Sequence, residues 1–100
     1  MSESFEIIGE ADVGSAAVLR VVGRLDAKSA PQLTRSCAAI RAAGRDLILN
    51  LSGVMFIASS GLGALLTLTE EFQQANRRLR LASPSQAVLS VVHLLNLDQF

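Results

Sequence analysis

The sequence has a single cysteine, Cys37, and a single histidine, His93, in 100 residues. A lone cysteine closes no internal disulfide, and one thiol with one imidazole cannot make a protein-only zinc site. Neither staple is needed, because 50% of the residues are hydrophobic, enough for one compact domain of this length to bury a core. A reduced, intracellular, cytoplasmic setting follows as the expectation. An excess of either charge is also missing, since nine basic residues balance nine acidic ones. Phosphate backbones are held by a positive surface, so direct nucleic-acid binding is not expected as the main role. No apolar run approaches the roughly 20 residues of a membrane-spanning helix. The opening Met1-Ser2-Glu3-Ser4-Phe5-Glu6 carries acids where a secretory signal needs a basic start and an apolar core. The expectation is a soluble domain with no membrane insertion.

The usual signatures of catalysis and nucleotide binding are missing as well. Gly61-Leu62-Gly63 supplies G-x-G but no third glycine, and no acid follows at about 20 residues as a dinucleotide site requires. Gly-Lys-Ser/Thr of a P-loop is absent. Ile57-Ala58-Ser59-Ser60-Gly61 has only the second glycine of a G-x-S-x-G nucleophile elbow. His93 stands among Val91, Val92, Leu94 and Leu95, where a structural imidazole is the ordinary explanation and a Ser-His pair is not. Arg77, Arg78 and Arg80 form the one basic cluster, and cations near a helix C-terminus complement its dipole without any ligand. Neither a cofactor nor a metal is expected, and no constellation supports an independent enzyme.

What is present is a regular succession of elements. Phe5–Ile8 and Ala16–Val22 read as two short strands joined by a turn over Asp12-Val13-Gly14-Ser15, a hairpin. Ser29-Ala30-Pro31-Gln32 reads as a helix start, with a capping serine, a proline in the first turn and a glutamine placed to complete a capping box. Leu33, Cys37 and Ile40 follow at helical spacing and Gly44 ends the helix. Cys37 is therefore expected as a small buried hydrophobe. Leu47-Ile48-Leu49-Asn50-Leu51 is a nearly continuous apolar strand of the kind found in the middle of a parallel sheet. A helix from about Ser60 to Ala75 turns Leu62, Leu65, Leu66, Leu68 and Phe72 toward a core. Leu79-Arg80-Leu81 is a short strand, and Ser83-Pro84-Ser85-Gln86 repeats the earlier cap pattern before an apolar stripe of Val88, Leu89, Val92 and Leu95, with Asn96 as terminator.

The order β-β-α-β-α-β-α implies a two-layer α/β domain with a mixed four-stranded sheet and helices mainly on one face. Leu49, Leu51, Leu79 and Leu81 are expected on the covered face, and Arg20, Asn50 and Arg80 on the other. The informative stretch is "NLSGVMFIASSGLGALL", residues 50–66. Capping a helix needs one hydroxyl, whereas this stretch offers two serines, an apolar lead-in from Val54 to Ala58, and two glycines. Gly61 and Gly63 each weaken a first turn by about 1 kcal/mol relative to alanine and leave backbone open to close approach from outside the chain. On the residues alone, a plain cap and a recognition surface both remain open.

With the upstream "GRLD", Gly23–Asp26, this stretch resembles the STAS domain, specifically the bacterial anti-sigma factor antagonists, over essentially the whole chain. The resemblance implies a switch and not an enzyme. In that family the unphosphorylated protein binds an anti-sigma factor that is also a serine kinase, which frees a sigma factor. Phosphorylation of a serine at the start of the helix after the third strand ends the interaction, and a PP2C-type phosphatase restores it. That serine corresponds to Ser59, with Ser60 the neighbouring alternative. The implied partner surface comprises Asp26, Ala58, Ser59, Ser60, Gly61, Leu62 and Gly63. Two departures are visible. Switch members often carry Asp before the phosphorylated serine, where this chain has Ala58. Relatives also continue beyond the position of Phe100 through another strand and helix, so one STAS domain over 1–100 with that element missing or shortened is expected. The alternative is a non-phosphorylated STAS module, a signalling scaffold or a transporter accessory subunit, in which Ser59 only caps.

Overall fold

The computed structural model describes residues 5–94. The elements run β1 (Phe5–Val13), β2 (Ala16–Leu25), α1 (Ala30–Ala42), β3 (Leu47–Ile57), α2 (Ser59–Gln74), β4 (Leu79–Ala82) and α3 (Gln86–Leu94). They form a four-stranded sheet in the order β1-β2-β3-β4. β1 is antiparallel to β2, and β3 is parallel to both β2 and β4. This is the mixed α/β architecture expected from the order of the elements.

Alternation decides which face is covered. Val21 and Leu25 of β2 and Leu47, Leu49 and Leu51 of β3 are buried in one cluster with Leu33 and Cys37 of α1, Leu62, Leu65, Leu68 and Phe72 of α2, and Val88 of α3. Residues one position out of phase, Arg20 on β2, Asn50 on β3 and Arg80 on β4, are half-buried or exposed. Burial of leucine-sized side chains on the helical face contributes about 1.5–3 kcal/mol each. Cys37 shares that cluster, and burial pushes its thiol up to about 12 despite the opposing influence of Arg41.

Several local expectations are corrected. β1 continues past Ile8 to Val13, and the turn narrows to Gly14-Ser15, with Gly14 at φ 60°. β3 runs beyond Leu51 to Ile57, so the apolar lead-in over Val54–Ile57 is part of the strand. Its pairing with β2 slips twice, between Arg20 and Val22 and between Gly23 and Arg24. These bulges break the strict alternation by which a strand is read. They bring Val54 and Ile57 inward and leave Met55 77% exposed. Leu66 does not join the core but is 51% exposed, because it sits at the far edge of the stripe made by Leu65, Leu68 and Phe72.

The helix ends explain themselves locally. α1 and α2 both close with the chain reversed through a left-handed residue, Gly44 at φ 73° and Asn76 at φ 59°. The next amide then reaches back into the last turn, Arg45 N–H to Ile40 O at 3.2 Å and Arg77 N–H to Phe72 O at 2.8 Å. Arg77 also donates to Gly44 O at 3.0 Å, tying the two ends together. α3 is capped by Ser85, whose Oγ accepts the Val88 N–H at 3.3 Å, and not by Ser83, which takes up φ 50°. The stripe position Leu95, the terminator Asn96 and the side chains of Val92 and His93 lie outside the described residues.

Candidate functional site

β2 and β3 finish side by side, and α2 starts directly above their ends. Ala58, between β3 and α2, is extended at ψ 167° and occupies the N-cap position. Its N–H donates to Leu25 O at 3.0 Å, and its carbonyl accepts the Leu62 N–H at 3.0 Å. An alanine offers no acceptor, so no side chain caps α2, and the amides of its first turn are left to other partners. Ser59 and Ser60 are the first residues of the helix proper and are exposed. Among the described residues neither hydroxyl has a hydrogen-bond partner. The capping role available to Ser59 on sequence grounds is therefore not what this serine does.

The two glycines divide in function. A Cβ built at Gly61 collides with the Leu25 carbonyl oxygen and stands 2.8 Å from Leu25 Cγ. Glycine here lets α2 press on the end of β2, an approach made inside the chain and not from outside it. Gly63 has nothing within 4 Å of such a Cβ and is exposed. Leu62 is only 5% exposed. Gly61 and Leu62 therefore set the helix in place, and the surface of the expected set consists of Asp26, Ala58, Ser59, Ser60 and Gly63.

Beside this start lies an open depression of about 820 Å³, lined by Phe5, Arg24, Asp26, Ala27, Lys28, Ser29, Gln32, Ala58 and Ser60. Asp26 is its organising residue. Its Oδ1 accepts the N–H of Lys28 at 3.0 Å and of Ser29 at 3.2 Å, and its Oδ2 lies 3.9 Å from Arg24 Nε. The Ser29 N–H, above all, holds the carboxyl below its ordinary value of 3.8; the Lys28 N–H, the Ser29 hydroxyl and Arg24 act the same way, against partial desolvation. Asp26 is thus a fixed negative charge at neutral pH.

Ser29 completes the loop from the inside. It is 8% exposed; its hydroxyl donates to Arg24 O at 2.7 Å and accepts the Asp26 N–H at 3.0 Å. The capping box expected with Gln32 does not form, because the Ser29 amide is held by Asp26 and its hydroxyl turns back to β2. Arg24 lies over the Phe56 ring at 4.0 Å, a cation–π contact. Arg24, Phe56 and Ser29 join the site only in three dimensions. The pairing of Arg24 with Phe56 depends on the second slip of β3, which leaves no mark in a reading of alternating residues.

Comparison with known proteins agrees with this architecture. The family model of the STAS domain matches residues 7–100. The chain is similar to an anti-sigma factor antagonist from Mycobacterium paratuberculosis, at 28% identity and TM-score 0.81, over 95% of this chain and 80% of that one. It is also similar to the anti-sigma factor antagonist SpoIIAA in its unphosphorylated form, at 25% identity and TM-score 0.68, over 91% of this chain and 83% of that one. The Bacillus cell fate determinant SpoIIAA in the phosphorylated form gives 25% identity and TM-score 0.69, over 94% and 85%. SLC26A9 shares the fold at 16% identity and TM-score 0.68, over 83% of this chain and 16% of that one. No curated protein sequence matches the chain significantly.

Proposed function

Because the chain belongs to the STAS domain family, we propose that it is an anti-sigma factor antagonist switched by phosphorylation at the start of α2. The unphosphorylated form binds an anti-sigma factor that is also a serine kinase, and so frees a sigma factor. The kinase modifies Ser59, with Ser60 the alternative, and a PP2C-type phosphatase reverses the modification. The observation that carries this reading is the uncapped helix start, where Ser59 and Ser60 are exposed with hydroxyls that have no partner among the described residues, and where Ala58 and Ser60 line the depression around Asp26.

The physics of such a switch suits the site. A phosphate adds about −1.5 to −2 charges. At a helix N-terminus that charge is favourable by about 0.3–1 kcal/mol, so modification leaves the fold in place. Its effect falls on the interface, where a bulky charged group blocks close approach and must be desolvated. A hundredfold loss of affinity corresponds to about 2.7 kcal/mol, within what one unpaired interfacial charge costs. The similar TM-scores to the two forms of SpoIIAA are in keeping with a switch that changes a surface more than a fold.

The decisive experiment maps phosphorylation on the protein isolated from its own host before and after stress, then measures binding of the cognate anti-sigma factor. Phosphate on Ser59 that changes with condition is expected, with Ser59→Ala binding constitutively and Ser59→Asp about a hundredfold more weakly. An unmodified Ser59 and Ser60 in every condition overturns the switch. A second reading, a STAS module with a fixed partner in a signalling scaffold or beside a transporter, is favoured by Ala58 in place of Asp and by the shared fold of SLC26A9. Neighbouring genes separate the two: a kinase and sigma factor for the first, transporter components for the second.

A further inference from the structure

The sheet face opposite the helices carries a pattern that the proposed switch does not use, although within the chain Glu10 already meets Arg20 and Asn50 and Val18 is only 8% exposed. Pairing across the strands aligns Glu10 with Val18, Val18 with Ile48, and Ile48 with Arg80. One row across this face therefore reads acid, apolar, apolar, base. The adjacent row aligns Ile8 with Arg20, Arg20 with Asn50, and Asn50 with Ala82, and reads apolar, polar, polar, apolar. Arg80 is exposed on the edge strand, and among the described residues its guanidinium has no partner. Arg20 Nε is shut off from solvent without a hydrogen bond of good geometry, although Glu10 Oε2 stands 3.2 Å away.

We propose that this open face docks a second copy of the same chain, forming a weak dimer about a two-fold axis that runs parallel to the strands between β2 and β3. Such an axis places β1 of one copy over β4 of the other and β2 over β3. Each row then meets its own reverse. Glu10 faces Arg80 of the second copy, Val18 faces Ile48, Ile8 faces Ala82, and Arg20 faces Asn50. Both rows are self-complementary, apolar on apolar, acid on base and polar on polar, as an isologous interface requires. β1 and β4 lie about 7 Å from the axis at the usual strand spacing, so the rotation of about 30° between packed sheets shifts the row ends by only a few ångströms, within reach of arginine and glutamate side chains. The face is small, which makes the association weak and concentration-dependent. The rows lie at the opposite end of β3 from Ala58, so the start of α2 stays open in the dimer.

Sedimentation velocity on the full chain from about 10 μM to about 1 mM tests this, a range that brackets weak self-association. A reversible monomer–dimer transition is expected. Arg80→Glu and Glu10→Arg, each placing like charges across the axis, are expected to weaken it about tenfold or more, and the double swap to recover most of the loss. Ile8→Cys combined with Ala82→Cys gives a second readout. These positions are about 14 Å apart within one sheet but about 10 Å apart across two packed sheets, beyond a direct disulfide in either case, so a short-spacer bismaleimide is expected to couple them between copies and yield a covalent dimer. A monomer at every concentration overturns the proposal. So does a dimer that is indifferent to both charge reversals and does not cross-link through the cysteine pair, which assigns self-association to another surface.

Discussion

The starts of α1 and α2 are built from the same residue type and do opposite work. At α1, Ser29 is 8% exposed, its hydroxyl spent on Arg24 O and the Asp26 N–H and its amide held by Asp26. At α2, Ala58 holds the cap position without a side-chain acceptor, and Ser59 and Ser60 are exposed with hydroxyls that have no partner among the described residues. A serine at a helix N-terminus is therefore not one thing. Where the loop before it bends back, as at Asp26, the hydroxyl is consumed in making the bend. Where a strand runs straight into the helix, as β3 does, the backbone makes its own connection and the hydroxyls are left over for chemistry performed by a partner.

The contrast is sharpest within α2 itself, between the glycine that meets β2 and the one that meets nothing. Gly61→Ala drives a methyl group into the Leu25 carbonyl and is expected to cost about 3 kcal/mol net of its better helix propensity. Gly63→Ala, with open space around the new Cβ, is expected to stabilise by up to about 1 kcal/mol. Urea denaturation of the two variants checks the pair, and equal costs would mean that α2 does not press on β2 as described.

The serines give the next largest difference. Ser29→Ala leaves the Asp26 N–H and the Arg24 carbonyl without their partner in a largely buried setting, for an expected loss of about 1–3 kcal/mol. Ser59→Ala and Ser60→Ala remove exposed hydroxyls that hold nothing and are expected to stay within about 0.5 kcal/mol of the parent. Thermal or urea unfolding distinguishes them. A loss at Ser59 comparable to that at Ser29 would return Ser59 to a capping role and weaken the case for a modifiable serine.

How far the sequence spoke follows the same division. Leu49, Leu51, Leu79 and Leu81 could be placed on the covered face from alternation alone, and the order of elements implied the mixed sheet. Those features rest on periodicity, which a linear chain displays. Ser29 and Ser83 carry the same cap pattern, yet the first-turn amide of α3 is bonded by Ser85, which lacks that pattern. The choice among neighbouring serines depends on which way the preceding loop turns. The bulges that give β3 its extra length are likewise silent, since Gly53 and Met55 look like irregular residues of a loop until β2 is laid beside them. Asp26 and Ser60 could be assigned to one surface only through the family resemblance. Their meeting around one depression is a product of crossover topology and not of sequence spacing.

The smallest difference concerns charge. The lowered ionisation range of Asp26 arises first from the Ser29 N–H, then from Lys28, the Ser29 hydroxyl and Arg24, with desolvation opposing. A carboxyl whose folded value lies below its unfolded one binds fewer protons in the folded state across the interval between them. The stabilisation is therefore fully present above the ordinary value of 3.8 and disappears as the pH falls through the folded value. Asp26→Asn keeps the shape but not the charge. The gap in unfolding midpoint between the parent and Asp26→Asn is expected to be constant from neutral pH to about pH 5, and to narrow as the solution is acidified further. Ser59→Asp, with its new carboxylate at the start of α2 and no Asx loop around it, is expected to show a much shallower dependence. If the gap between the parent and Asp26→Asn does not narrow in acid, the effect of the substitution belongs to lost geometry and not to the ionised carboxylate, and the α1 start then differs from the α2 start in shape alone.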